Sequence, residues 1–165
     1  EAAGSPFFLR ELSRSVATTG VVRGVRDVVL DRVATLDQAQ RDLLSRGLYC
    51  VKDRAKTFPE LLEKAQFALT SRPVVPDEAA AKALDSVSRG ILKSLTPRLQ
   101  NASWTKDQLE PILNQFAAKN DMGFGKLAAP LRAALAGRTT TPSVFDMMLV
   151  LGRDETLARL EEASA

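Results

Sequence analysis

The side chains whose type and spacing could do chemistry are basic, and they gather in two windows. From Arg46 to Phe58, Arg46, Lys52, Arg54 and Lys56 stand against the single acid Asp53; from Met122 to Phe145, Lys126, Arg132 and Arg138 stand against none. Each window therefore carries a local charge of +3, four less one and three less zero. Fixed charge of this kind attracts a polyanion and releases its counterions. A solvated face of a helical protein shows the same pattern, so charge alone leaves both readings open.

Catalytic chemistry finds less support. With no histidine and only Cys50, neither a histidine-based triad nor a structural zinc site can be assembled, and no internal disulfide can form. Asp27 and Asp31 are four apart on one helical face, a spacing that fits a solvated surface better than an acid/base couple. Gly123-Phe-Gly125-Lys126 resembles a phosphate cradle in outline but lacks the P-loop spacing and its trailing Ser or Thr, and reads better as a plain loop. Cys50, between Tyr49 and Val51, reads as a structural thiol with no base to activate it. Trp104 reads as an anchor for a core or helix seam rather than a platform for a base. The residues by themselves point to a binding module.

The elements that must position these residues are helices. Apolar residues recur at intervals of three and four along the 165 residues, with no sustained alternation; Val28, Val29 and Leu30 are the one run that reads as a possible strand. Ser5-Pro6 caps a first helix that Gly20 stops, and Asp37 opens one that Gly47 ends. Thr57-Phe-Pro-Glu60 is a capping box that launches a helix with Leu61, Leu62, Ala65 and Leu69 inward. A long helix from about Asp77 to Leu95 is expected to break at Thr96-Pro97. Thr105-Lys-Asp-Gln108 is a second capping box, opening a helix with Leu109, Ile112, Leu113 and Phe116 on one face. KLAAPLRAALAG stops at Gly137, with Pro130 kinking it or marking its first turn. Thr141-Pro142 opens the next helix, Gly152 closes it and Asp154 starts the last. The expected total is eight or nine helices, with a seam near residues 97 to 104. A hydrophobic fraction of 45% beside 26% charged residues is that of a folded globular chain. No apolar run reaches the roughly 20 residues of a membrane span, and the first residues do not read as a secretory leader.

Gly125-Lys-Leu-Ala-Ala-Pro-Leu-Arg-Ala-Ala-Leu-Ala-Gly137, Arg138-Thr-Thr-Thr-Pro-Ser-Val-Phe145 and Leu149-Val-Leu-Gly-Arg-Asp154 resemble, in order, a GKxxxPLRxALTG segment, a TxPG(I/L)F turn and an LLGKE segment. These belong to the C-terminal, anticodon-binding region of bacterial glutamyl-tRNA synthetases. Val51-Lys-Asp-Arg-Ala-Lys-Thr57 resembles that family's V-K-E-R-A-K-T block, Trp104-Thr105 its W-T helix opening, and residues 77 to 84 a helix it also has there. The resemblance runs from about residue 40 to the end, while residues 1 to 39 match loosely. Ala136 stands where threonine is usual, and Ser143 replaces the turn glycine.

The resemblance implies an all-α fold of two helical subdomains, residues 1–99 and 100–165. It implies a parent enzyme, a cytoplasmic class I ligase, that joins glutamate to its tRNA with ATP and magnesium. The catalytic motifs of that parent lie in an N-terminal Rossmann domain and are absent from these residues, so the chain is expected to be a non-catalytic, monomeric reader of the anticodon of glutamate tRNA, with no membrane partner. Carried over residue by residue, the recognition arginines fall on Arg54 and Arg132, and the base-contacting turn on Thr141, Pro142, Val144 and Phe145. Lys126, Arg138 and Thr139 are secondary candidates for phosphate contacts. On this reading Arg132 and the turn take the first two anticodon bases, and Arg54 takes the third. A guanidinium fork suits the O2 and N3 acceptors of cytosine, whereas guanine presents donors on the same edge. A helical protein-interaction module with incidental basic patches is the alternative, and a domain with an unrecognised catalytic site is a third reading.

Overall fold

The computed structural model describes Asp31 and residues 34–165. The helix expected from Ser5 to Gly20, the Val28–Leu30 run and the Asp27 half of the aspartate pair lie outside the described residues. Backbone contacts divide the chain into residues 1–42 and 43–165. In the first unit, Asp37 Oδ1 accepts from Gln40 N–H at 2.8 Å, and Asp37 N–H donates back to Gln40 Oε1 at 3.0 Å. This reciprocal box satisfies two of the N–H groups that a helix start leaves unpaired.

Among the described residues the structure is all helix: α1 (Gln38–Val51), α2 (Phe58–Ala65), α3 (Glu78–Ala83), α4 (Ser86–Gln100), α5 (Lys106–Lys119), α6 (Phe124–Ala136), α7 (Val144–Leu151) and α8 (Arg153–Ala163). Two short 3-10 turns, Lys52–Arg54 and Gln66–Ala68, follow α1 and α2. Within the second unit α6 is the central helix, touched by α3, α4, α5, α7 and α8, while α8 also packs along α4. Its composition explains the placement. Leu127, Ala128, Leu131, Ala133, Ala134 and Leu135 are all buried, so α6 is apolar over most of its circumference. Leu92, Leu95 and Leu99 of α4, Leu109, Leu113 and Phe116 of α5, Met147 and Met148 of α7 and Leu160 of α8 close the core around it. Each such side chain contributes about 2 kcal/mol by leaving water.

The expected boundary at residues 99/100 falls inside this unit, where α4 on one side packs against α8 on the other. Five local expectations are corrected. Gly47 does not end α1; it is buried inside it, because a Cβ there would stand 3.1 Å from Ala68 Cβ and the two segments meet at the glycine. The long helix from Asp77 breaks at Leu84 and not at Pro97, because Asp85 caps a new start by accepting from Ser88 N–H at 2.7 Å. Pro97 then lies inside α4, one turn from its end. Thr105 occupies the cap position of α5, but its side chain makes no capping hydrogen bond. Helix α7 starts two residues later than expected, with Ser143 at the cap and Pro142 outside. Pro130, buried as the seventh residue of α6, does not mark its first turn.

Candidate nucleic-acid interface

The first basic window is built from helix ends. Thr57 Oγ1 accepts from Glu60 N–H at 3.3 Å, and Glu60 Oε2 accepts from Lys56 N–H at 2.9 Å. The expected capping box therefore forms with its return bond one residue early. Lys64, one turn on, pairs with Glu60 at 2.6 Å and also donates from Nζ to the Arg54 carbonyl oxygen. These contacts hold the Glu60 carboxyl below the usual carboxylate range, the Lys64 hydrogen bond first and the Lys56 backbone N–H second. They also fix the backbone of Arg54 in the 3-10 turn.

Its guanidinium reaches out of that turn and is 57% exposed, with Nη1 lying 3.5 Å from Oδ2 of Asp146 in the first turn of α7. Cys50 is half-buried close to both. Burial first and the nearby Asp146 second push its thiol up, with Arg54 opposing, which disfavours the thiolate. On α1, Tyr49 is exposed and Lys52 Nζ sits 3.9 Å from its ring centroid.

The second window is built on the core. Gly137 ends α6 with φ 67° and ψ 15°, and a Cβ there would lie 2.6 Å from the Val75 carbonyl oxygen. Only glycine fits a left-handed residue pressed this closely on a neighbouring backbone. The Gly137 carbonyl in turn accepts from Asp77 N–H at 2.8 Å. Arg159 of α8, 2% exposed, ties the same region from beneath: it donates to the carbonyls of Phe67, Leu135 and Thr70 and pairs with Glu155 at 2.7 Å. The chain between Gly137 and α7 leaves this anchored start as a surface turn.

Arg138 is half-buried, and its Nη1 lies 3.3 Å from Glu63 Oε1 of α2. Thr139 and Thr141 are half-buried, with Thr141 Oγ1 donating to the Pro142 carbonyl at 3.1 Å. Phe145 is half-buried and stacks on Phe124 with centroids 5.3 Å apart and planes 7° from parallel. Pro142 is buried, and Val144, 2% exposed, belongs to the core, so it supports the turn from below. Lys126 is exposed in the first turn of α6. Arg132 is half-buried, and its Nε is sealed from solvent without a hydrogen-bond partner.

An unsatisfied buried donor is costly unless a missing group completes it. No ion pair to Arg132 is present among the described residues, in contrast to Arg54 and Arg138. Ala136, one turn beyond Arg132 on the same face, lines a cleft of about 340 Å³. Glu63, Lys64, Gln66, Arg138, Thr140 and Thr141 supply its polar wall. Gln66 Oε1 is buried there without a partner. Two ion pairs tie each window to a segment beside the other: Arg54 to Asp146, one residue past the second window, and Arg138 to Glu63, five residues past the first. Among the described residues no group of three or more His, Cys, Asp or Glu side chains could hold a metal ion.

The anticodon-binding domain family model matches residues 20–164. The chain belongs to that family. This anticodon-binding domain is 69% identical over 134 residues to glutamate–tRNA ligase 1 of Cereibacter sphaeroides, covering 81% of the chain and 28% of the relative. It is 68% identical over 130 residues to glutamate–tRNA ligase 1 of Dinoroseobacter shibae, covering 79% of the chain and 28% of the relative. The chain therefore spans a little over a quarter of the length of the curated relatives it matches. A glutamate tRNA ligase from Elizabethkingia meningosepticum shares its fold with TM-score 0.65 at 21% identity, over 96% of this chain and 28% of that one. The all-helical reading and the family resemblance both hold.

Sequence reasoning missed Asp146, Glu63 and Gln66. The acid-free window ends one residue short of Asp146, whose place in a first helical turn reads as an ordinary dipole complement. Nothing in the local pattern marks Glu63 or Gln66, since both acquire their neighbours only when α2 meets the segment after Gly137. Trp104 behaves as expected of a seam anchor, its Nε1 donating to the Met148 carbonyl at 2.9 Å.

Proposed function

We propose that this domain reads the anticodon of glutamate tRNA within a glutamate–tRNA ligase. In that ligase the joining of glutamate to tRNA, with ATP and magnesium, takes place outside these 165 residues. The observation that carries the reading is that Arg54–Asp146 and Arg138–Glu63 tie each basic window to the other's flank, with a cleft beside the 137–145 turn and an arginine, Arg132, left without an ion-pair partner. Unstacked anticodon bases need donors for their Watson–Crick edges and apolar surfaces for their faces. Arg132, Thr141 and the cleft receive the first two bases, with Phe145 as an apolar wall and Arg138, Lys126 and Thr139 toward phosphates. Arg54 takes the third base. Its exposed fork suits the two acceptors of cytosine, and a guanine edge there costs about 1–3 kcal/mol by setting donors against donors. Glutamate and glutamine anticodons differ at this base, so the arginine favours a ligase that separates the two tRNAs. The working form is a cytoplasmic monomer.

Titration of the chain with a glutamate-tRNA anticodon stem-loop at two salt concentrations tests this. Affinity should fall as salt rises, with log affinity linear in log salt. Arg132→Ala should abolish dependence on the first two anticodon bases. Salt-independent affinity, or unchanged anticodon dependence in Arg132→Ala, overturns the reading.

A further inference from the structure

We propose that Asp146 is a positioning residue that aims the Arg54 guanidinium at the third anticodon base and so sets the cytosine-over-guanine preference. The inference rests on the reading of Arg54 as a base reader. Both ends of Arg54 are held: Lys64 holds its backbone carbonyl, while Asp146 holds one corner of its guanidinium. The side-chain contact is single, Nη1 to Oδ2 at 3.5 Å, and the side chain is 57% exposed. The remaining donors of the fork are left for a ligand.

A restraint of this kind differs from a salt bridge that consumes the arginine. An arginine loses much rotamer freedom when it docks a base, and a partner that already confines it removes part of that loss. The gain goes to the base whose edge accepts from the fork, which is cytosine, and not to guanine. Asp146, itself 25% exposed, sits in the first turn of α7, where the helix start favours an acid and the Phe124–Phe145 stack fixes the neighbouring residue. The residue thus couples the third-base reader to the helix that follows the turn for the first two bases.

The competing account is electrostatic only: an acid on a basic face weakens the field that draws RNA. The two accounts differ in sign. Removing a charge that merely opposes RNA tightens every RNA equally, whereas removing a positioning partner weakens the cytosine complex alone.

The test uses the chain with two anticodon stem-loops that differ only in cytosine or guanine at the third base. Asp146→Asn should weaken binding of the cytosine loop about two- to fivefold, the range an exposed ion pair supplies, and leave the guanine loop unchanged. Asp146→Glu, which keeps the carboxylate one methylene further out, should recover most of the preference. In an Arg54→Gln background, Asp146→Asn should have no further effect on the preference, while the melting temperatures of the Asp146 variants stay at that of the unsubstituted chain. Equal change in both loops, in either direction, or the same loss with Arg54 already replaced, overturns the positioning role. An unchanged preference in Arg54→Gln removes Arg54 as the reader and the inference with it. That outcome differs from Asp146→Asn failing while Arg54→Gln succeeds, which overturns the positioning role alone.

Discussion

The two basic windows are built in different ways. Arg54 hangs from a 3-10 turn between two helix ends, held by a threonine cap, a lysine to its carbonyl and a half-exposed ion pair. Arg132 and the 137–145 turn stand on the central helix, with Gly137 pressed on Val75, Arg159 bonded from below and Val144 in the core. In the first region the arginine touches little that holds the fold, so its loss and the loss of stability are separable. In the second the turn shares residues with the core, so a change to its supports costs stability.

That contrast is sharpest where the support is buried. Arg159→Met should destabilise the protein by about 3–5 kcal/mol in chemical denaturation, since it strands three backbone carbonyls and leaves Glu155 with Arg72 alone as its cation. A loss under about 1 kcal/mol would mean the 137–145 region does not depend on it. Gly137→Ala should cost about 2–3 kcal/mol, combining a left-handed alanine with the clash on Val75. Gly90→Ala is its control: a Cβ there meets nothing within 4 Å inside α4, so the substitution should stabilise by about 0.5–1 kcal/mol. If both glycines respond alike, the close approach at Gly137 is not what selects glycine.

In the first region the expected effects are smaller. Thr57→Ala should lower stability by about 1 kcal/mol through the lost bond to Glu60 N–H, with the Arg132 turn unaffected. The acid limb should separate the regions as well. The Glu60 carboxyl is depressed by Lys64 and Lys56, and that of Asp85 by Ser88. A depressed carboxylate contributes stability that is present above its unfolded value near pH 4 and is lost as pH falls through the lowered folded value. Glu60→Gln should therefore flatten the loss of stability below about pH 4, and hydrogen exchange should show residues 52–65 opening first on acidification. Simultaneous opening of the 137–145 turn would break the contrast.

Much of this was legible in the residues. The caps at Thr57, Asp77 and Asp37 and the stops at Gly137 and Gly152 follow from side chains that accept or avoid backbone bonds within four positions, which is local chemistry. The buried face of α5 follows from the spacing of Leu109, Leu113 and Phe116. Misreadings came where a distant partner overrides local preference. Gly47 looks like a stop until Ala68 arrives against it, and Thr105 looks like a capping box whose hydroxyl makes no bond. Pro97 looks like a break, but α4 continues around it because Leu95 and Leu99 on either side are both buried.

For the site the division is similar. The sequence by itself determined which cations are available, that they form two windows, and which family motif carries Arg54 and Arg132. Tertiary structure alone decided that Arg54 answers to Asp146 and Arg138 to Glu63 while Arg132 has no ion-pair partner among the described residues, and that Val144 is spent on the core. The physical reason is range: a cap or a periodicity is settled within a turn or two of helix, whereas an ion pair or a cleft wall depends on which helices the shared core brings together.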